Sequence, residues 1–187
     1  MEKFGFQQPN HTFGVPHNQV CNIVEKIALK AEHYGFDSFY VMDHLMQISG
    51  INPPEDPILE GWMTIAALAV VTQKMKLSTM VTCNTFRNPA LLAKMGATID
   101  NISNGRLILA IGAGWYELEH KAYGINLGTM KERIQRLRET LQIIKKCGLR
   151  TKPRLRENIT ASKMQYAILN RSRSPIRWLW LEEMERK

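Results

Sequence analysis

The chain has too little cysteine, in the wrong places, to build a metal site or a disulfide framework. Cys21, Cys83 and Cys147 are odd in number, far apart and without ligand spacing, a usage that fits a reducing, cytoplasmic compartment. No phosphate-binding loop and no Cys–His nucleophile pair is present, and Gly112-Ala113-Gly114 lacks the third glycine of a dinucleotide fingerprint. No apolar run is long enough to span a bilayer, so no membrane partner is expected. The N-terminus carries Glu2 and Lys3 and no apolar signal core, so no secretory leader is expected either.

The net charge of +8 is unevenly placed. Residues 147–187 hold 10 Lys+Arg against 4 Asp+Glu, so six of the eight charges belong to this segment and the preceding 146 residues are nearly neutral. Nucleic acid is therefore not expected as a partner of the chain as a whole.

The body, 187 residues at 44% hydrophobic, alternates strand and helix. Lys3 to Gln7 reads as a strand, followed by a helical face of Val20, Ile23, Val24, Ile27 and Ala31 that ends near Gly35. Ser38 to Met42 is a second strand, and a Pro- and Gly-rich loop runs from Gln47 to Gly61. Trp62 to Val71 is apolar enough to be a packed helix, and Lys76 to Thr82 is a third strand. Thr129-Met130-Lys131-Glu132 is a capping box opening a helix whose Ile134, Leu137, Leu141 and Ile144 share a face.

Between them, residues 87–115 are the most informative. Asn88 can cap a helix that Pro89 opens; Leu91, Leu92, Met95, Ile99 and Ile102 recur at helical spacing, and Asn104-Gly105 marks the turn. Leu107 to Ile111 is an unbroken apolar run, as in a strand covered on both faces. Gly112-Ala113-Gly114 then lets backbone approach a ligand closely, with the flat ring of Trp115 beside it. Four successive strand–helix units imply parallel strands.

Arg-Asn-Pro (87–89), Ala-Thr-Ile-Asp (97–100), Ile-Ser-Asn-Gly-Arg (102–106) and Gly-Ala-Gly-Trp (112–115) together resemble the luciferase-like flavin and deazaflavin oxidoreductases. Phe4-Gly5-Phe6, Asp43-His44 and Thr79-Met80-Val81-Thr82 agree in order, and the resemblance covers residues 3–146. It implies an α/β fold of TIM-barrel type, reduced here to about the first four βα units. A whole barrel typically needs about 250 residues. Half a barrel is expected to leave open strand edges and an uncovered apolar sheet face, and hence to self-associate as a homo-oligomer or to pair with Trp178, Leu179, Trp180 and Leu181.

The same resemblance implies hydride transfer or monooxygenation of a small organic substrate with coenzyme F-420 or FMN, impaired by truncation. The alternative is a non-catalytic remnant or an oligomeric interaction module. On spacing alone Asp43-His44 is either a loop-capping pair or a site pair. The resemblance makes His44 the catalytic candidate, with Asp43 binding cofactor or fixing the histidine tautomer. It likewise points to Met80, Val81 and Thr82, Gly112, Ala113, Gly114 and Trp115 as cofactor contacts. Relatives that bind the deazaflavin often have a non-proline cis peptide at the bond matching Met80–Val81, and an ordinary strand end is the alternative. Some deazaflavin-dependent sugar dehydrogenases of the family carry Glu where Trp115 stands, which argues against sugar oxidation. No metal is implied. Glu117 and Glu119 read as a solvated loop face more readily than as acid–base groups, and His11, His17, His33 and His120 as surface or loop residues.

After Lys146 the composition changes, defining segments 1–146 and 147–187. The family's continuation, Met-Trp-Thr-Glu, is absent as written, but one base out of frame Cys147-Gly148-Leu149-Arg150 can encode it. Arg154 to Ile159 can likewise encode Thr-Phe-Glu-Gly-Lys-Tyr. The tail is therefore expected to derive from a frameshift in the adenine-rich Lys145-Lys146 codons; a divergent basic appendage is the alternative. Sequencing the gene across these codons is expected to reveal the family's continuation in the neighbouring frame, and codons that cannot spell Met-Trp-Thr-Glu in that frame would exclude this origin.

Overall fold

The computed structural model describes residues 2–148 and 177–178. Strand β1 (Gly5–Gln8), helix α1 (Val20–His33), strand β2 (Ser38–Val41), helix α2 (Gly61–Val71) and strand β3 (Lys76–Thr79) follow one another along the chain. They lead to β4 (Thr82–Cys83), α3 (Pro89–Ile102), β5 (Ile108–Leu109), β6 (Ile111–Gly112), the short α4 (Glu117–Ala122) and α5 (Met130–Gly148). Among these strands the pairings are parallel: β1 with β2, β2 with β3, and β4 with β6. Leu77 bridges Leu107, its N–H donating to the Arg106 carbonyl at 3.1 Å, and Thr82 N–H donates to the Ala110 carbonyl at 2.9 Å. The four expected strands thus lie in sequential order, the third broken between Thr79 and Thr82 and the fourth between Leu109 and Ile111.

The local signals act as read. Asn88 accepts from Ala90 N–H with Pro89 in the first turn of α3, and Asn104 and Gly105 turn with φ of 54° and 83°. Thr129 and Glu132 exchange the reciprocal bonds of a capping box. A further cap lies outside the sequence expectations: the Glu60 carboxylate accepts from Met63 N–H at 2.6 Å and starts α2.

One face of the strands packs under the helices. Phe39, Val41 and Leu77 join Val24, Ala28, Trp62, Ile65, Leu92, Ile99, Ile143 and Ile144 in a continuous core. The buried stripe of α5 is rotated from the expected one: Leu137, Ile143, Ile144 and Cys147 are buried, while Ile134 and Leu141 are half-buried. Likewise Leu91 and Ile102 of α3 lie on the outside.

The other face corrects the expectation of an uncovered apolar sheet. In register, Phe6, Phe39 and Leu77 point to the helices, so Gln7, Tyr40 and Ser78 point away, as do Gly5, Ser38 and Lys76. The Tyr40 ring lies over Gly5, where an added Cβ would stand 2.7 Å from it. Strands β1 to β3 alternate apolar with polar residues, which puts the polar set opposite the core. Only the fourth strand is apolar throughout, and Leu107 to Ala110 are all buried. Of the basic tail, Arg177–Trp178 adds a parallel strand, β7, to β5; Leu179, Trp180 and Leu181 lie outside the described residues.

At the amino ends of the strands, two charged side chains secure the α2–β3 turn. The Arg106 guanidinium donates to the carbonyls of Ala69, Thr72 and Met75 and to the Thr72 hydroxyl, all at 2.8–2.9 Å, covering the end of α2. Glu32 of α1 accepts from the N–H groups of Gln73, Lys74 and Met75. Burial pushes the Glu32 carboxyl up, but these three N–H groups and the nearby Arg106 charge outweigh it and hold it below its ordinary value.

Arg106→Lys should therefore lower stability by about 2–3 kcal/mol in urea unfolding, because one ammonium cannot reproduce a planar fork spread over several acceptors. A change under about 0.5 kcal/mol would show that the turn holds without it.

Candidate active site

The carboxyl ends of the strands converge on one rim. Asp43 follows β2, Thr82 and Cys83 form the end of the third strand, and Gly112 ends the fourth. Their alignment is direct: Cys83 N–H donates to Asp43 Oδ2 at 2.8 Å, Asn84 N–H to the Gly112 carbonyl at 3.0 Å, and Met80 N–H to the Val41 carbonyl at 2.7 Å. The Met80–Val81 peptide bond is cis. An added Cβ on Gly112 would stand 2.9 Å from Val81 Cγ2, and one on Gly114 3.0 Å from Cys83 Sγ, at a φ of 84°. At both positions only glycine fits without displacing a neighbour.

Asp43 does not hold His44, contrary to one expectation. Its buried carboxylate takes a bidentate pair from Arg87 at 2.7 and 2.8 Å besides the Cys83 N–H. Burial is the largest influence and raises the Asp43 carboxyl above its ordinary value, with the Arg87 hydrogen bonds, the Arg87 charge and the Cys83 N–H acting against it. Three donors and no acceptor is the pattern of the ionised form. Arg87 also pairs with Glu60 at the start of α2, and its guanidinium carbon lies 6.0 Å from the centre of the Trp62 ring. Asp43, consumed in this way, presents no free carboxylate to a ligand.

His44 is held by Glu119, a residue expected to lie in solvent. The Glu119 side chain is buried (0% exposed); its oxygens lie 3.1 and 3.2 Å from His44 Nδ1, and it accepts the Leu45 N–H at 2.6 Å. Glu117, by contrast, is exposed and pairs with Lys121. His120, also expected at the surface, is buried, with Nε2 2.6 Å from the Thr85 hydroxyl and Nδ1 2.7 Å from the Tyr116 carbonyl. His11 is buried as well: its Nδ1 accepts the Leu59 N–H, and burial pushes its pKa down to about 4, keeping the ring neutral. His17 and His33 are exposed as expected.

Tyr116 and Tyr123 complete the attachment of α4. The Tyr116 hydroxyl lies 2.9 Å from Ser49 Oγ, and Tyr123 donates to the Leu45 carbonyl at 2.7 Å. Tyr116, Glu119, His120 and Tyr123 recur at helical spacing, a polar and aromatic face that the sequence carries and that only the docked helix gives a meaning. Arg87 was visible too, inside the Arg-Asn-Pro motif, but its two carboxylates are 27 and 44 residues away.

Around His44 the rim is apolar. Trp115 (59% exposed) meets the imidazole edge-on at 5.8 Å, while Met80 and Val81 are 38% and 37% exposed. Thr82 turns its hydroxyl inward to Thr79 at 2.6 Å and is buried, so its side chain does not reach the rim. Gly112, Ala113 and Gly114 are half-buried beside Val81 and Trp115. Among the described residues, no cluster of three or more His, Cys, Asp and Glu could hold a metal, and no helix is long and apolar enough to cross a membrane. An exposed apolar strip flanked by glycines and one pinned imidazole suits a flat heteroaromatic ring with a polar edge.

The family model for luciferase-like monooxygenases matches residues 3–162, and the chain belongs to that family. The match extends to residue 162, past Lys146 where the composition changes. The chain is 35% identical over 146 residues to an F420-dependent glucose-6-phosphate dehydrogenase of Amycolatopsis mediterranei, covering 78% of this chain and 41% of that protein. To a pyrimidine monooxygenase RutA of Acinetobacter baylyi it is 38% identical over 124 residues, covering 65% and 33%. The FMN complex of the oxygenating constituent of 3,6-diketocamphane monooxygenase from Pseudomonas putida superposes with a TM-score of 0.72 at 27% identity, over 87% of this chain and 43% of that one. The chain thus spans less than half the length of each of these three relatives.

Arg87→Met should lower stability by about 3–5 kcal/mol in denaturant titration, since it strands the buried Asp43 carboxylate. The deficit should shrink as pH falls through the carboxylate range, because a carboxyl whose folded-state pKa is raised favours the folded state at low pH. A loss independent of pH would show that the charge of Asp43 is not what Arg87 satisfies.

Proposed function

We propose that the chain carries the ring-side half of a flavin or deazaflavin oxidoreductase acting on a small organic substrate with coenzyme F-420 or FMN. The observation that carries this reading is the rim itself: one imidazole pinned at Nδ1 amid an exposed apolar strip of Met80, Val81 and Trp115. The two cofactors come from the relatives, one described as F420-dependent and one seen with FMN. Either cofactor supplies hydride-accepting or hydride-donating chemistry when bound.

The residues divide the work. Met80 and Val81 back the ring, Gly112 and Gly114 allow close approach, and Trp115 covers one side and excludes water. His44, with Nδ1 engaged, offers Nε2 as a hydrogen-bond partner or proton carrier at the reacting edge. We further propose that the segment 147–187 is frameshift-derived. As the relatives are more than twice as long as the matched region, the chain as it stands binds the ring weakly and turns over little, because small misplacement of reacting groups costs about a hundredfold in rate. The outer edge of β1, unpaired among the described residues, suits self-association, which sedimentation at micromolar concentration would detect.

The test compares the 187-residue chain with a version whose frame is restored by one base before Cys147. The restored protein should bind and reduce FMN or F420, and His44→Ala should cut its turnover by about a hundredfold or more with little change in denaturation midpoint. Restored protein that binds neither cofactor would sink the oxidoreductase reading in favour of a non-catalytic interaction module. Equal loss of turnover and stability would make His44 structural.

A further inference from the structure

The geometry assigns Glu119 as the positioning residue for His44: it sets the imidazole in its Nδ1–H tautomer and leaves Nε2 as the acceptor at the rim. This deepens the reading of His44 as the site's proton-handling group and rests on it. Glu119 is wholly buried on α4, and among the described residues its carboxylate hydrogen-bonds the Leu45 N–H and His44 Nδ1. A carboxylate only accepts hydrogen bonds, so the ring nitrogen it faces must carry the proton. A neutral imidazole has one N–H, so Nε2 is then left with a lone pair, and it has no partner among the described residues.

The backbone bond makes the arrangement rigid. By accepting Leu45 N–H, the same carboxylate fixes the peptide that follows His44, so ring and main chain are referred to one buried group. The rings of Trp115 and Tyr116, at 5.8 and 6.0 Å and nearly perpendicular to the imidazole, limit its rotation. A free imidazole exchanges tautomers; here one is selected before any ligand arrives, which is the preorganisation a proton-handling group needs.

The test needs no cofactor, so it stands or falls separately from the proposed activity. Histidine is labelled with 15N in the full chain, and long-range 1H–15N correlation spectra are recorded at neutral pH, with His44→Gln identifying the signals. Wild-type His44 should show a protonated Nδ1 and an unprotonated Nε2. Glu119→Gln should lose that signature for the mixed pattern of an unbiased ring, since an amide can donate as well as accept. His120, one residue along α4 and bonded to Thr85 and the Tyr116 carbonyl, is the internal control: its signals should stay put, whereas collapse of α4 would move them too. Should Glu119→Gln fail to fold, the wild-type spectrum and Glu119→Asp, which keeps the charge and should keep the Nδ1–H preference, decide the matter. A wild-type His44 protonated at Nε2, an unchanged tautomer in Glu119→Gln, or His44 and His120 moving together would each overturn the assignment.

Discussion

Arg87 reaches from the loop after β4 to two carboxylates on different elements, Asp43 beyond β2 and Glu60 at the start of α2. A guanidinium can do this because its donors spread in a plane and its charge persists when partly buried. Asp43 in turn accepts the Cys83 N–H, so the ends of the second and third strands are held at one height. The rest of the rim depends on that alignment, since Met80, Val81 and Gly112 meet only if the third strand ends where it does. Such a pair adds little net stability compared with an apolar replacement, and its worth lies in geometry.

The second clamp is α4, a helix of six residues that could not stand alone. It is held by side chains: Glu119 to the His44–Leu45 segment, Tyr116 to Ser49, Tyr123 to the Leu45 carbonyl and His120 to Thr85. These bonds tie the loop after the second strand to the loop after the fourth. At the opposite ends of the strands, Arg106 and Glu32 secure a turn far from any candidate chemistry. Charged residues thus serve the site at one end and stability at the other, as in barrels generally.

Composition, alternation and local punctuation determined much of this. The parallel strand order, the helix beginning at Asn88 and Pro89, the turn at Asn104-Gly105, the capping box at Thr129 and the family itself were all legible, because each depends on residues within a few positions of one another. The rim position of His44 and the cis bond at Met80–Val81 were expected only through the family resemblance, since nothing local distinguishes them from a loop and a strand end.

Tertiary structure alone decided which partners the charged groups take. Asp43 stands next to His44 in the chain but turns to Arg87, while Glu119, 75 residues from His44, comes to its ring. Glu117 and Glu119 look alike in sequence, and only the docking of α4 buries one and leaves the other in water. The polar inner face of β1 to β3 was implicit in their alternation, yet it became readable only once the register showed which side the helices cover. A hydrogen bond or ion pair is a matter of a few ångströms in space, and sequence separation carries no such distance.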